Sequence, residues 1–140
     1  MTARPIRILF VCAENSSRSQ MAEAWMRQLG AERFLARSAG LRPTHLHPLA
    51  TAVMQEADVD IARQRGKGLD AVKRERFDIV VTLCEESAKE LPKLPGSPTV
   101  RHHPVDDPAW IETDFGADID EFRKARDEIR AIAEALIREL

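Results

Sequence analysis

The amino-acid sequence predicts an α/β fold, a single-domain three-layer α/β/α arrangement with a four-stranded parallel sheet. Strand-like and helix-like segments alternate along the chain, an order typical of parallel sheets with helical crossovers. Residues 77–83, FDIVVTL, are β-branched and almost all apolar, as expected of a central strand covered on both faces. The chain has 140 residues, so we expect one compact domain over residues 1–140.

The first half of the chain predicts two strands, each followed by a helix. An apolar strand at 7–11 leads into an amphipathic helix at 17–29, whose apolar residues stand four apart and which Gly30 ends. A second strand is expected at 34–38. Pro48 begins the next helix, because proline is well tolerated in the first helical turn.

The second half continues the same alternation. A short helix is expected at 69–72, and the strand at 77–83 follows it. A brief helix at 86–90 precedes a loop rich in proline, and a fourth short strand is expected at 99–102. The last helix, at 118–140, has apolar residues that recur at helical spacing along its whole length.

The turn after the first strand carries a thiol and an arginine in the pattern C-x5-R-S, formed by Cys12, Arg18 and Ser19. The N-terminus of the following helix directs unpaired backbone N–H groups at an anion over the turn and favours thiolate over thiol. Arginine adds a planar fork of donors that matches two oxygens of phosphate or arsenate. The pattern therefore predicts a nucleophilic cysteine rather than a small buried apolar residue. The predicted oxyanion-binding loop consists of Ala13, Glu14, Asn15, Ser16, Ser17, Arg18 and Ser19.

A second cysteine, Cys84, also follows directly on a predicted strand. Ligands of parallel α/β sheets bind at the carboxyl ends of the strands, so Cys84 and Cys12 are predicted to share one edge of the sheet. If their strands are neighbours, about 5 Å apart, loop movement could join the two sulfurs. The alternative is that Cys84 only packs at a strand end. Two cysteines far apart in a chain of this kind favour reduced, reactive thiols over a structural disulfide.

Composition excludes several other classes of function. The net charge of −2 and the short basic stretch at 63–67 give no reason to expect nucleic acid or a membrane as partner. No apolar stretch has membrane-spanning length and nothing resembles a signal peptide, so we expect a cytoplasmic protein. We expect no metal and no cofactor, because the histidines lack ligands at helical spacing. These histidines are His45, His47, His102 and His103.

The chain resembles, nearly end to end, the arsenate reductases built on the low-molecular-weight protein tyrosine phosphatase fold. The similarity rests on VCAENSSRSQMAEA at 11–24, SAG at 38–40, VTLC at 81–84 and DDPA at 106–109. Tyrosine phosphatases of this fold are not expected to have a cysteine in the VTLC segment, so this segment favours a reductase. The alternative is a low-molecular-weight protein tyrosine phosphatase that acts through a phosphocysteine intermediate. A module that only binds an oxyanion would have no use for a nucleophile.

The resemblance implies a role for each of the matching residues. Cys12 attacks arsenic while Arg18 and the loop amides hold the oxygens, and Asp107 protonates the departing oxygen, with Asp106 as the alternative acid. Cys84 then attacks the sulfur of Cys12, arsenite leaves, and a disulfide remains. Supporting roles around the loop fall to Asn15, Ser19, Glu23, Ser38 and Lys67.

Two features depart from the family pattern. Reductases coupled to thioredoxin typically carry a third redox cysteine, but residues 85–92 contain none. The disulfide therefore needs an external reductant such as thioredoxin, glutaredoxin with glutathione, or mycoredoxin with mycothiol, unless Cys84 only protects Cys12 from overoxidation. Lys67 stands where some relatives have an acidic residue that helps to bind potassium. Its ammonium either replaces that ion by pairing with Glu23 or is solvated, and we expect no potassium requirement.

Overall fold

The computed structural model describes residues 4–110, 112–113 and 116–140. In these ranges the chain forms a parallel sheet of four strands in the order β2-β1-β3-β4. The strands are β1 (Ile6–Cys12), β2 (Phe34–Gly40), β3 (Ile79–Thr82) and β4 (Thr99–His102). The predicted α/β fold with a four-stranded parallel sheet is confirmed.

The α-helices of the described ranges are α1 (Arg18–Gly30), α2 (Pro48–Glu56), α3 (Glu85–Glu90) and α4 (Ile119–Glu139). The sequence did not predict the 3-10 turns at Ala31–Arg33 and Pro108–Trp110, or the small antiparallel pair of β5 (Glu112–Thr113) and β6 (Gly116–Ala117). The short helix expected at 69–72 is a 3-10 turn at Leu69–Ala71. Among the described residues, no helix has both the length and the apolar character needed to cross a membrane.

The core lies on both faces of β1. The larger apolar cluster packs α1, α2 and α4 against one face and contains the fully buried rings of Phe10 and Phe122. The smaller cluster, on the other face, contains Leu9 and Val80 and is covered by the 3-10 turn at Leu69–Ala71 and neighbouring loops. Burial on both faces explains why β1 and β3 read as apolar runs rather than as alternating patterns.

The central strand is shorter than predicted. It begins at Ile79 and ends at Thr82. Just before it, the side chain of Asp78 accepts a hydrogen bond from the backbone N–H of Arg7 (2.9 Å) and another from Arg4 (2.9 Å). These donors, the Arg7 backbone first, lower the pKa of Asp78. The side chain thus binds the first strand at the end of the sheet opposite to the predicted site.

Helix α1 ends at Gly30 as predicted, but the reason differs from the expected one. The residue with left-handed backbone is Ala31, with φ 47°, and not the glycine. A Cβ on Gly30 would lie 2.6 Å from Cδ2 of Phe34, so this position requires glycine for close packing rather than for a left-handed turn.

Candidate active site

The loop between β1 and α1 is shaped by Asn15, which is fully buried and has φ 55°. Asparagine tolerates this left-handed backbone better than most residues. Its Oδ1 accepts hydrogen bonds from Nε2 of Gln20 (2.9 Å) and from the backbone N–H of Lys67 (2.9 Å). The amide group therefore has one orientation, with its NH2 directed towards the interior of the loop.

The sulfur of Cys12 receives two polar contacts inside this loop. Sγ lies 2.8 Å from Oγ of Ser19 and accepts from the backbone N–H of Asn15 at 3.3 Å. Oγ of Ser19 accepts from Nδ2 of Asn15 (2.7 Å) and can donate its own proton to an ionised sulfur. The two donors stabilise negative charge on the sulfur, which is the reactive form of cysteine.

The chain after β2 holds the loop from outside. Backbone N–H groups of residues 41–47 donate to carbonyl oxygens of the loop at 2.8 to 3.2 Å. The accepting carbonyls belong to Cys12, Ala13, Glu14 and Ser16. Since these carbonyls point outward, the amide N–H groups of the same peptides turn inward, where they form a concave binding surface for an anion.

Gly40, the last residue of β2, lets the strand pass close to the loop. A Cβ at this position would lie 2.7 Å from the backbone N of Asn15 and 2.7 Å from the carbonyl carbon of Glu14. Both are backbone atoms that cannot move aside without distorting the loop.

We therefore expect Gly40→Ala to slow the alkylation of Cys12 at pH 7 by at least about fivefold and to lower the free energy of unfolding by about 1–3 kcal/mol. Gly68→Ala is the matched control, because its Cβ would lie 3.3 Å from the side chain of Pro43 and no nearer to backbone than 3.8 Å, at the carbonyl oxygen of Gly40. Iodoacetamide labelling with mass spectrometry and urea titration measure the two effects. Equal labelling rates in both variants would contradict the assigned role of Gly40.

Arg18, the first residue of α1, connects the loop to a second segment of the site. Its guanidinium is buried, donates to the carbonyl oxygen of Val105 (3.0 Å) and lies 3.6 Å from Oδ2 of Asp107. Asp107 also accepts from the backbone N–H of Ala109 (2.9 Å), which fixes its position before the 3-10 turn. The neighbouring Asp106 is exposed. Of the two predicted acids, Asp107 is the one that the structure places beside Arg18.

Cys84 follows β3, which is the direct neighbour of β1 in the sheet, with Val11 opposite Thr82. The side chain is partly buried against the apolar cluster that contains Cys12. Its sulfur occupies the N-cap position of α3, where it accepts from the backbone N–H of Ser87 (3.4 Å). Both cysteines are free thiols. The condition set by the sequence, that the two strands be neighbours, is met.

A cleft of about 430 Å³ opens where the two strands end. Its wall combines residues of the oxyanion loop, the segment after β3 and the segment around Asp107. The lining residues are Ala13, Glu14, Arg18, Arg42, Cys84, Glu85, Glu86, Pro104, Val105, Asp106, Asp107 and Trp110. Cys12 is 2% exposed, so only a small reactant held within the loop reaches its sulfur. Trp110 is 83% exposed and leaves the rim of the cleft open.

Lys67 lies among the predicted supporting residues. Its ammonium donates to Oγ of Ser38 (3.1 Å) and lies 3.6 Å from Oε1 of Glu23, whose other oxygen accepts from Arg27 (3.0 Å). Burial is the main influence on this group and lowers the pKa of Lys67, while Glu23 opposes the shift. The sequence left two alternatives for Lys67, an ammonium paired with Glu23 or a solvated one, and the structure has the paired ammonium. In the described ranges, no group of three or more acidic, His or Cys side chains could hold a metal ion.

The sequence-based prediction did not include Gln20. Gln20 is fully buried, and its Nε2 donates to both oxygens of Asn15 and to the carbonyl of Arg65 (2.7 Å). The signal that could have identified Gln20 is a glutamine in the first turn of the helix, shortly after an asparagine suited to left-handed backbone. Ser17 is the N-cap residue of α1, yet in this described segment its side chain makes no capping hydrogen bond.

Comparison with known proteins agrees with this geometry. The family model "Low molecular weight phosphotyrosine protein phosphatase" matches residues 7–140. Arsenate reductase 1 of Staphylococcus haemolyticus (strain JCSC1435) is 38% identical over 122 residues, which cover 87% of each chain. A solved arsenate reductase in its oxidized state superimposes with a TM-score of 0.80 at 30% identity, covering 95% of this chain and 97% of that one. The structure of an arsenate reductase in the phosphate binding state gives a TM-score of 0.78 at 30% identity, with coverage of 96% and 98%.

Proposed function

This chain belongs to the low molecular weight phosphotyrosine protein phosphatase family, and from this membership we propose that it is an arsenate reductase. The observation that carries the proposal is the pair of free thiols at the ends of two neighbouring strands, beside one cleft. A phosphatase of this fold needs only the first of them. The relatives that it matches over most of their length are named arsenate reductases, and this supports the same activity.

In the first step, the thiolate of Cys12 attacks arsenic and a sulfur–arsenic bond forms. One arsenic–oxygen bond breaks, and Asp107 gives its proton to the departing oxygen, which leaves as water. Arg18 and the loop amides hold the remaining oxygens of the arsenate. The contact between Arg18 and Asp107 keeps the acid on the same side of the site as these donors.

In the second step, the sulfur of Cys84 attacks the sulfur of Cys12. A disulfide forms, the sulfur–arsenic bond breaks, and its electron pair remains with arsenic, which is thereby reduced from As(V) to As(III). The proton of the Cys84 thiol leaves with the arsenite. The two cysteines supply both electrons, so neither a metal nor a cofactor takes part.

An external reductant must then open the disulfide, since the sequence contains two cysteines in total. The reductant classes that fit are thioredoxin, glutaredoxin with glutathione, and mycoredoxin with mycothiol. Attack by a thiolate of any of them on the disulfide restores both thiols through a mixed disulfide.

The proposal is tested by incubating the reduced protein with arsenate and each of these reductant systems in turn. We expect arsenite to accumulate with at least one of them and reagents without protein to produce none. Hydrolysis of an aryl phosphate is measured in parallel. If hydrolysis is efficient and arsenite is absent with every reductant, the chain is a phosphatase and the reductase proposal is wrong.

The phosphatase is the second candidate, because Cys12, Arg18 and Asp107 would also serve phosphate transfer. In that reaction Cys12 forms a phosphocysteine, and Asp107 protonates the leaving alcohol and later activates water. The reaction makes no use of Cys84. Slow aryl phosphate hydrolysis by a reductase is compatible with both candidates, so only arsenite formation separates them.

The position of Lys67 leads us to expect that Lys67→Gln lowers the free energy of unfolding by about 1–3 kcal/mol, because a buried carboxylate loses a partner. Alkylation of Cys12 should be unchanged, because the substitution keeps the backbone N–H that orients Asn15. Lys73→Gln is the control, because Lys73 pairs only with exposed Asp70. The wild-type rate of arsenite formation should be the same in potassium chloride and in choline chloride. A rate that rises with potassium would contradict the assignment of the ammonium as the resident cation.

A further inference from the structure

The first turn of α3, directly after Cys84, is held by a side-chain contact on each of two consecutive residues. Oε1 of Glu85 lies 3.0 Å from Nε2 of His102, on β4. Both oxygens of Glu86 accept hydrogen bonds from the guanidinium of Arg42, one of them at 2.8 Å. The two partners lie on different parts of the fold, so the turn is fastened from two directions.

Both partners are themselves anchored near the active site. The backbone N–H of Arg42 donates to the carbonyl of Ala13 in the oxyanion loop (2.8 Å). The other ring nitrogen of His102 lies 2.8 Å from Oγ1 of Thr82, the last residue of β3. The ion pair with Glu86 raises the pKa of Arg42 and lowers the pKa of Glu86, so both groups stay charged over a wide pH range.

The sulfur of Cys84 takes part in the same turn. Besides accepting from the N–H of Ser87, its S–H donates to Oγ of that serine at 3.3 Å, and the serine hydroxyl donates to the carbonyl of Cys84 (2.9 Å). The sulfur of Cys12 makes its contacts with Ser19 and Asn15 instead. A disulfide requires the two sulfurs at about 2 Å, so the sulfur of Cys84 has to leave its cap.

Apart from these two contacts and the cap formed by Cys84 and Ser87, the turn is short and largely exposed. Helix α3 has six residues, and most of its side chains are exposed, with Ser87 the one that is buried. A helix of this length has too few backbone hydrogen bonds to be stable alone. Its position therefore depends on tertiary contacts, among them those of Glu86 with Arg42 and of Glu85 with His102.

We propose that Arg42 and His102 are positioning residues that restrain Cys84 through Glu86 and Glu85, and that release of these two side-chain contacts sets the rate at which Cys84 attacks the sulfur of Cys12. The inference rests on the proposed reductase function. It assigns to the two contacts a kinetic role that their contribution to stability would not reveal, because exposed polar contacts contribute little to the free energy of unfolding.

The test measures the reactivity of Cys84 alone, in a Cys12→Ser background, by iodoacetamide labelling at pH 7. We expect Arg42→Gln and His102→Gln each to raise the labelling rate of Cys84 by about twofold to fivefold, and the double variant by about tenfold. Glu86→Gln should reproduce the effect of Arg42→Gln, which keeps the test valid if the arginine variant is poorly folded. Arg123→Gln is the matched control, since it breaks an exposed pair with Glu56 away from the cleft.

A second measurement follows disulfide formation between Cys12 and Cys84 after addition of diamide, a thiol oxidant, to the reduced protein. The double variant should form the disulfide faster than the wild type, and high salt should bring the wild type towards the variant. Unchanged rates in the double variant, or slower disulfide formation, would overturn the inference. Because neither measurement uses arsenate, a protein that fails to make arsenite but shows both accelerations would refute the proposed function and leave the restraint of Cys84 intact.

Discussion

Cys12→Ser should abolish arsenite formation and aryl phosphate hydrolysis together, with both rates falling by at least about four orders of magnitude. The serine hydroxyl is un-ionised at neutral pH, and the two groups that contact the sulfur position act as donors to an anion rather than as bases. The two donors on the sulfur, Ser19 and the N–H of Asn15, stabilise a charge that serine does not carry. Arsenite release and the hydrolysis of an aryl phosphate are the two rates to measure.

The same variant should still bind phosphate or arsenate. Arg18 and the amide groups of the loop are unchanged, and these supply most of the attraction for an oxyanion. Titration calorimetry of Cys12→Ser with each ion therefore separates binding from chemistry. Residual hydrolysis near the wild-type rate would show that the nucleophile lies elsewhere, and would remove the basis of both candidate functions.

The elements of this fold could be predicted because local patterns determine them. The apolar run at 77–83 and the helical spacing at 118–140 reflect burial on one or both faces, and that is visible in composition alone. The proximity of Cys12 and Cys84 was conditional, because strand order depends on packing between distant segments. The structure shows that β1 pairs with β3, and this places the two cysteines at the ends of neighbouring strands.

The parts of the site that could not be predicted are contacts between residues far apart in the chain. Arg42 and Glu86 are 44 positions apart, and the Arg18 bond to Val105 spans 87. No periodicity or motif reports such pairs.

The loop motif itself could be predicted from the sequence. A thiol directly after a strand and an arginine at a fixed spacing from it are brought together by local geometry alone. The buried Gln20 lies between these cases, because one of its partners, Asn15, is local and another, Arg65, is distant in the chain.

Cys84→Ser should stop arsenite formation while aryl phosphate hydrolysis continues, reduced by no more than about threefold. Serine cannot attack the sulfur of Cys12, so the reaction halts at the Cys12–arsenic adduct and no disulfide forms. Phosphate transfer needs only Cys12, Arg18 and Asp107, none of which the substitution changes. Arsenite assay and mass spectrometry of the cysteines, in the presence of each reductant, measure the difference.

Serine is the appropriate replacement because Cys84 is also the N-cap of α3. A serine hydroxyl accepts from the N–H of Ser87 at least as well as a sulfur does, so the turn keeps its cap. Cys84→Ala removes the cap as well as the thiol, and should lose about 1 kcal/mol of stability in addition to arsenite formation. If Cys84→Ser still reduces arsenate at the wild-type rate, an external thiol attacks the Cys12–arsenic adduct directly. Cys84 would then protect Cys12 from overoxidation instead of supplying electrons.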